Sequence, residues 1–314
     1  MSLKDYIIHK ELGKGISSIA FLATSKIDNR DVVIKMIKPD MVILDDNIIA
    51  EFTIGRDAAN RCPYIVKHLA VFKDIVPAKL LFDKIYQNKY TSWIVIEYVE
   101  GYTLAQYFKC QKDTGYLIDI KDYLRFLEHV FKVIDCLHSN EIIHGDISPG
   151  NLYFGTETRE PFLIDFGGSC SLNFKPSENW KTGRFSCGVR ELQTLRIYSS
   201  RFANLKRIDL PLNYSWSSDQ LRTILRQNDI HALLTMSCLL LHINLDTKWT
   251  KYILKNGWDN VVFDDLRQNY AKYNVDATAI FDFLEQTIKL INDLDESVTA
   301  KSVLKSIKLL QTHY

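Results

Sequence analysis

The hydrophobic period of this 314-residue chain changes near residue 100, and that change limits the folds open to it. Up to Val99, short β-branched or aromatic runs such as Val32-Val33-Ile34 and Trp93-Ile94-Val95-Ile96 stand between Gly, Asp, Asn and Lys-rich turns and read as strands. One helical candidate interrupts them, from about Ile48 to Ala59. Beyond Gly101 the spacing becomes helical: Leu124, Phe126, Leu127, Val130, Phe131, Val133, Ile134 and Leu137 mark one face of an amphipathic helix. Helical patterning returns from Leu221 onward, with no internal repeat or low-complexity segment. The expected organisation is a small β-rich part over residues 1–100 and a larger helical part over 101–314. With 46% hydrophobic residues and only 13 Gly and 7 Pro, disordered and collagen-like classes are excluded.

Charge names no partner by itself, because 39 Lys and Arg face 38 Asp and Glu, a net of +1. The six cysteines, Cys62, Cys110, Cys136, Cys170, Cys187 and Cys238, are scattered singly, without a C-x-x-C pair or metal-ligand spacing, and are expected to be reduced thiols. The start lacks the basic and apolar regions of a secretory signal. The apolar stretch Ala232 to Leu245 is interrupted by polar residues and is too short to span a bilayer. A cytoplasmic protein without a membrane anchor is the expectation.

Three groups of residues carry chemistry. Leu12-Gly13-Lys14-Gly15-Ile16-Ser17-Ser18 lies between two strand-like segments, where glycines let backbone N–H groups approach a phosphate. Fifteen residues beyond Ala20 stands Lys35, at the end of an apolar strand, from which it can reach nucleotide phosphates if a carboxylate fixes it. Glu51 is the expected partner and Asp57 a weaker alternative. Most telling is His144-Gly145-Asp146-Ile147-Ser148-Pro149-Gly150-Asn151, followed by Asp165-Phe166-Gly167. Asp146 and Asn151 are five residues apart, and Asp165 follows Asp146 by 19. Such a set suits phosphoryl transfer: Asp146 can accept a hydroxyl proton while Asn151 and Asp165 offer oxygen ligands to Mg²⁺.

In their order these segments resemble the protein-kinase superfamily, over most of the chain. Gly13 to Ser18 resemble its glycine-rich loop, Lys35 its strand lysine, Glu51 its helix glutamate, Ile96 to Val99 its hinge, His144 to Asn151 its catalytic loop and Asp165 to Gly167 its metal-binding triplet. Asp229 to Leu234 resemble the start of a buried helix in the large lobe. The resemblance implies an α+β bilobal fold, an antiparallel-sheet N-lobe with one helix and a mainly helical C-lobe, with ATP in the cleft. It further implies that Gly13, Lys14, Gly15, Ser17, Ser18 and Lys35 contact the nucleotide, that Ile96 is the gatekeeper and that the Glu97 and Val99 backbones bond adenine. His144 is expected to be structural.

Several positions depart from the family pattern. Gly145 stands where many regulated kinases carry the Arg that receives an activation-loop phosphate, so activity without that phosphorylation is expected. Ser148 stands where Ser/Thr kinases usually carry Lys, which also resembles RIO-type kinases, and H-G-D-x-x-x-x-N resembles aminoglycoside and choline phosphotransferases. No Ala-Pro-Glu is found; Thr182 to Glu191 is the nearest counterpart, and Ser297-Val298-Thr299-Ala300 lacks the late Arg that would pair with it. The distance from Glu191 to Asp229 implies an insertion around 195–228.

Between Lys175 and Arg207, eight basic residues face Glu178 and Glu191. Beside a substrate groove this excess would favour acidic or phosphorylated protein substrates. Tyr198, Phe202 and Tyr214 give thin aromatic interleaving, so nucleic acid is not an expected partner. The expected activity is Mg²⁺-assisted phosphoryl transfer from ATP to Ser/Thr hydroxyls of proteins. The alternatives are a small-molecule phosphotransferase and a scaffold without catalysis, the latter disfavoured because Lys35, Asp146, Asn151 and Asp165 are all retained.

Overall fold

The computed structural model describes residues 1–15, 17–39, 45–78, 80, 84–114, 118–156, 160–172, 218–241, 260–293 and 295–314. The chain divides into two compact units, Met1–Glu100 with Ile164–Gly167, and Gly101–Leu163 with Gly168–Tyr314. The second stretch of the first unit is the segment that carries Asp165-Phe166-Gly167.

The first unit is a five-stranded antiparallel sheet with one helix. Strands β1 (Tyr6–Lys14), β2 (Ser18–Ser25), β3 (Asp31–Ile37), β4 (His68–Ile75) and β5 (Tyr90–Glu97) run in the order β1-β2-β3-β5-β4. The near-continuous apolar runs of β3 and β5 occupy the interior of that order, buried over most of their length, whereas β1 is largely exposed. Phe21, Ile34, Met36, Trp93 and Val95 form the centre of the core. Helix α1 (Asp45–Arg61) packs against β4 and is longer than the expected span at both ends.

In the second unit, β6 (Gly101–Thr103), β8 (Leu152–Gly155) and β9 (Pro161–Leu163) form a three-stranded sheet, and β7 (Ile142–Ile143) pairs with β10 (Cys170–Ser171). The other elements described in this unit are mainly helices: α2 (Leu104–Thr114), α3 (Ile120–Ser139), α4 (Ser218–Cys238), α5 (Asn260–Ala271), α6 (Thr278–Asn292) and α7 (Ala300–His313). Asp119 caps α3 by accepting from the backbone N–H groups of Lys121 and Asp122. Every apolar residue in the expected stripe of α3 is buried, and α7 packs along this helix. Thr299, in the segment that lacks the family's late Arg, is the N-cap of α7, in a capping box with Ser302. This is the small antiparallel N-lobe and larger helical C-lobe of an α+β bilobal kinase fold.

Two expectations need correction. Asp229 is not near the start of its helix, since α4 begins at Ser218, so residues 218–228 of the expected insertion are helix; the rest of it lies outside the described residues. So do Thr182 to Glu191 and the basic stretch from Lys175 to Arg207. Cys110 and Cys238 are free thiols, but Cys62, Cys136 and Cys170 are disulfide-bonded, against the expectation of six reduced cysteines.

Candidate active site

In the first unit, Lys35 lies in the middle of the sheet, opposite Ala20 on β2 and Ile94 on β5. Its ammonium group donates to Glu51 Oε1 and to Asp165 Oδ1, each at 2.7 Å. Asp57 is occupied elsewhere, in a pair with Arg61 at 2.8 Å. Burial opposes the charge on Lys35, but the carboxylates of Asp165 and Glu51 outweigh it and hold the ammonium above its ordinary pKa. Burial likewise pushes the Glu51 carboxyl up, with Lys35 working against that. The result is a desolvated charged cluster whose one cation bridges two segments 114 residues apart, Glu51 and Asp165.

Asp165 has a left-handed backbone, φ 64, a conformation that disfavours residues with a side chain. Its Oδ1 also accepts from the Gly167 N–H at 3.2 Å. Phe166 beside it is fully buried and meets His68 edge to face, with ring centroids 5.7 Å apart.

The glycine-rich segment is a hairpin turn between β1 and β2. Gly15 N–H donates to Ser18 O at 2.9 Å, Lys38 N–H donates to Ser17 O at 2.9 Å, and the Lys38 ammonium donates to Gly15 O at 2.6 Å. Gly13, Lys14 and Gly15 are exposed, while Ser18 is buried as the first residue of β2. A β-carbon on Gly13 would meet nothing within 4 Å, so the turn has open space on that side. At the end of β5, Glu97 N–H donates to Lys67 O at 2.8 Å. Val99 follows, half-buried.

In the second unit the loop after β7 is built around Asp229. This fully buried carboxylate accepts from His144 N–H and Gly145 N–H, each at 2.9 Å, and lies 3.2 Å from His138 Nε2. His144 is itself buried, and its Nδ1 accepts from Asp146 N–H at 3.3 Å. That bond gives His144 a structural role, with its lone pair turned to the loop backbone. Asn151 Nδ2 donates to the backbone oxygen and to Oδ2 of Asp146, both at 2.9 Å, so its amide oxygen is the end left for a cation. Pro149 O accepts from Ala105 N–H at 2.9 Å, which ties the loop to α2.

Gly145 explains its own presence. Its φ is +75, and a β-carbon there would come 2.3 Å from Gly168 O. Ser169 Oγ then donates to His144 O at 2.9 Å, and Cys170 and Ser171 pair with Ile143 and Ile142. The segment from Gly168 to Ser171 is therefore joined to the loop at 142–145 by backbone contact and one hydroxyl. His138, Ser169 and His68 were not singled out in the sequence; each is a residue type common in loops and caps, and only spatial proximity gives it a role.

Residues 6–187 match the protein kinase domain family, and the chain belongs to the protein-kinase superfamily. Among curated relatives, the probable serine/threonine-protein kinase fnkB of Dictyostelium discoideum is 34% identical over 101 residues, 32% of this chain and 18% of that protein. Serine/threonine-protein kinase RIM15 of Saccharomyces cerevisiae is 33% identical over 171 residues, 53% of this chain and 8% of the relative. Serine/threonine-protein kinase PknA of Nostoc sp. is 30% identical over 166 residues, 52% and 27%. The chain thus spans less than a third of the length of each of these relatives. Among the described residues, no helix is long and apolar enough to cross a membrane.

Proposed function

We propose that this chain transfers the terminal phosphoryl group of ATP to Ser or Thr hydroxyls of proteins, and does so without phosphorylation of its activation segment. The observation that carries this reading is the Lys35 ammonium held at 2.7 Å from both Glu51 and Asp165. A lysine so fixed orients nucleotide phosphates rather than wandering as a solvated surface charge.

The remaining residues divide the work. The turn Gly13, Lys14, Gly15, Ser17 and Ser18 covers the phosphates, and the backbones of Glu97 and Val99 receive the adenine. Asp165 and Asn151 offer a carboxylate and an amide oxygen, donors that fit a hard cation. Mg²⁺ held by these residues would neutralise phosphate charge. Asp146, oriented by Asn151, accepts the proton of the attacking hydroxyl as its oxygen bonds to phosphorus and the bond to ADP breaks. Independence from loop phosphorylation is supported by Gly145 and Ser169, because the contact an Arg–phosphate pair would make elsewhere is made here by backbone packing and the Ser169 hydroxyl. The basic excess from Lys175 to Arg207 favours acidic or phosphorylated substrates.

The test is incubation of the purified chain with labelled ATP and Mg²⁺, alone and with cell lysate, with Asp165→Asn as control. Label on Ser and Thr of proteins is expected from the dephosphorylated enzyme and is lost in the variant. Label only on low-molecular-weight acceptors would move the reading to a small-molecule phosphotransferase. ATP consumption equal in wild type and Asp146→Ala would leave a scaffold.

A further inference from the structure

Residues 218–228 are the described part of the insertion expected around 195–228, and the function proposed above gives them no role. They form the first turns of α4, ahead of Asp229, whose carboxylate holds the loop before Asp146. One face of these turns carries Arg222, Leu225 and Arg226, at the i, i+3 and i+4 spacing that sets side chains beside one another on a helix.

That face is occupied. Leu225, 3% exposed, packs in one cluster with Ile143 of β7 and with Cys170 and Leu172. Arg222 donates to Leu172 O at 3.3 Å, while Leu172 N–H donates to Glu141 O at 2.7 Å. Both backbone polar groups of Leu172 are thereby satisfied, one of them by a guanidinium from α4. Arg226 donates to Glu141 Oε2 at 2.8 Å and to His138 O at 3.5 Å. Glu141 has a left-handed backbone, φ 58, a conformation that persists in a residue with a side chain where its surroundings over-determine it. Its N–H donates to His138 O at 3.1 Å, so its amide, carbonyl and carboxylate are all engaged. The helix is anchored in a further direction by Gln227, which is buried and donates to Asp295 O at 2.6 Å.

Residues 168–172 follow the 165–167 triplet and begin the activation segment. Gly145 offers them no guanidinium, but α4 brings two to this stretch and to the residue before β7. Their acceptors are a backbone carbonyl and a carboxylate already present in the chain, so neither contact needs a phosphate.

We propose that the first turns of α4 take the place of a phosphorylated loop: Arg222 and Arg226 are positioning residues that fix Leu172 and Glu141, and with them the start of the activation segment beside the loop that carries Asp146. The catalytic half of this proposal rests on the kinase reading above; the holding of residues 168–172 by α4 does not.

The experiment compares dephosphorylated wild type with Arg222→Ala, Arg226→Ala and the double variant. A thiol reductant is present throughout, because the disulfide at Cys170 is a separate restraint on the same stretch. Turnover with a protein acceptor and amide hydrogen exchange of residues 168–172 are both followed. In the double variant kcat is expected to fall on the order of 100-fold with the KM of ATP unchanged, as for a small displacement of a reacting group. Exchange at Leu172 should quicken. Arg226→Glu and Glu141→Arg should each be impaired, whereas the two combined should regain turnover and protection, a coupling that independent sites would not show.

Wild-type turnover or wild-type exchange in the double alanine variant would overturn the proposal, as would a swapped pair no better than either single change. If the double alanine variant does not fold, the swapped pair carries the decision by the same criterion. Should wild type transfer no phosphate, the kinase reading fails, while the exchange data still decide whether α4 holds the segment.

Discussion

The α-carbon of Gly145 lies against the carbonyl oxygen of Gly168, so closely that a β-carbon at residue 145 would approach that oxygen to 2.3 Å. Replacing Gly145 by the family's usual Arg should therefore not install control by phosphorylation. Both the positive φ and the contact oppose any side chain. Gly145→Arg is expected to lose about 1–3 kcal/mol of stability from the backbone strain alone and to lose turnover whether or not the activation segment is phosphorylated. Chemical denaturation and kinase assays before and after treatment with an upstream kinase check this; recovery of activity on phosphorylation would contradict it.

Lys35 and Glu51 are both nearly fully buried, whereas Asp165 is partly exposed. Lys35→Met leaves Glu51 buried with its cation gone, and a loss of roughly 3 kcal/mol or more is expected, moderated as Glu51 takes up a proton. Glu51→Gln should be milder, because Lys35 keeps Asp165. Urea unfolding of the two variants at neutral pH gives the comparison, and equal losses would show that Glu51 is not the principal partner.

Acid should weaken the fold through buried neutral histidines. His68 and His231 are pushed down to about 4 by burial, from an ordinary 6.5. Since the folded-state value is the lower one, the unfolded chain binds the extra protons between those limits. The stability contributed is complete above pH 6.5 and is lost as pH falls toward 4, with a slope of at most about 1.4 kcal/mol per pH unit for each histidine. Glu51, raised by burial, opposes this trend at the lower end. Unfolding free energies at pH 7 and 5 measure the slope. His231→Leu should flatten it, and an identical slope in that variant would count against the assignment.

Asp229 is the acceptor on which the catalytic loop hangs. Asp229→Asn turns an amide N–H toward either the His144 or the Gly145 N–H, so a buried donor loses its partner, at a cost of about 1–3 kcal/mol. Turnover should fall with stability, since the same backbone carries Asp146. Retention of wild-type kcat in Asp229→Asn would show that the loop is held by other contacts.

The fold class was legible in the sequence because its cause is local. The switch from strand-like runs to the stripe of α3 follows from alternation and from 3.6-residue spacing, and the buried residues of β3, β5 and α3 are those the pattern marks. The residues proposed to carry the chemistry could be picked out for a different reason: Asp146, Asn151 and the 165–167 triplet stand at fixed spacing in the sequence. The membership of Ile164–Gly167 in the first unit has no local signal; it goes with the reach of Lys35 across the sequence to Asp165.

By itself, then, the sequence determined which side chains are available and in what order: a lysine on an apolar strand, a glutamate on the next helix, two aspartates and an asparagine in loops. Tertiary structure alone decided that Lys35 bridges Glu51 and Asp165, that Gly145 must be glycine because Gly168 presses on it, and that Cys62, Cys136 and Cys170 are not free thiols. These are contacts between residues far apart in the chain, and no local period or propensity encodes them; they exist only once burial has brought separate elements within a few ångströms.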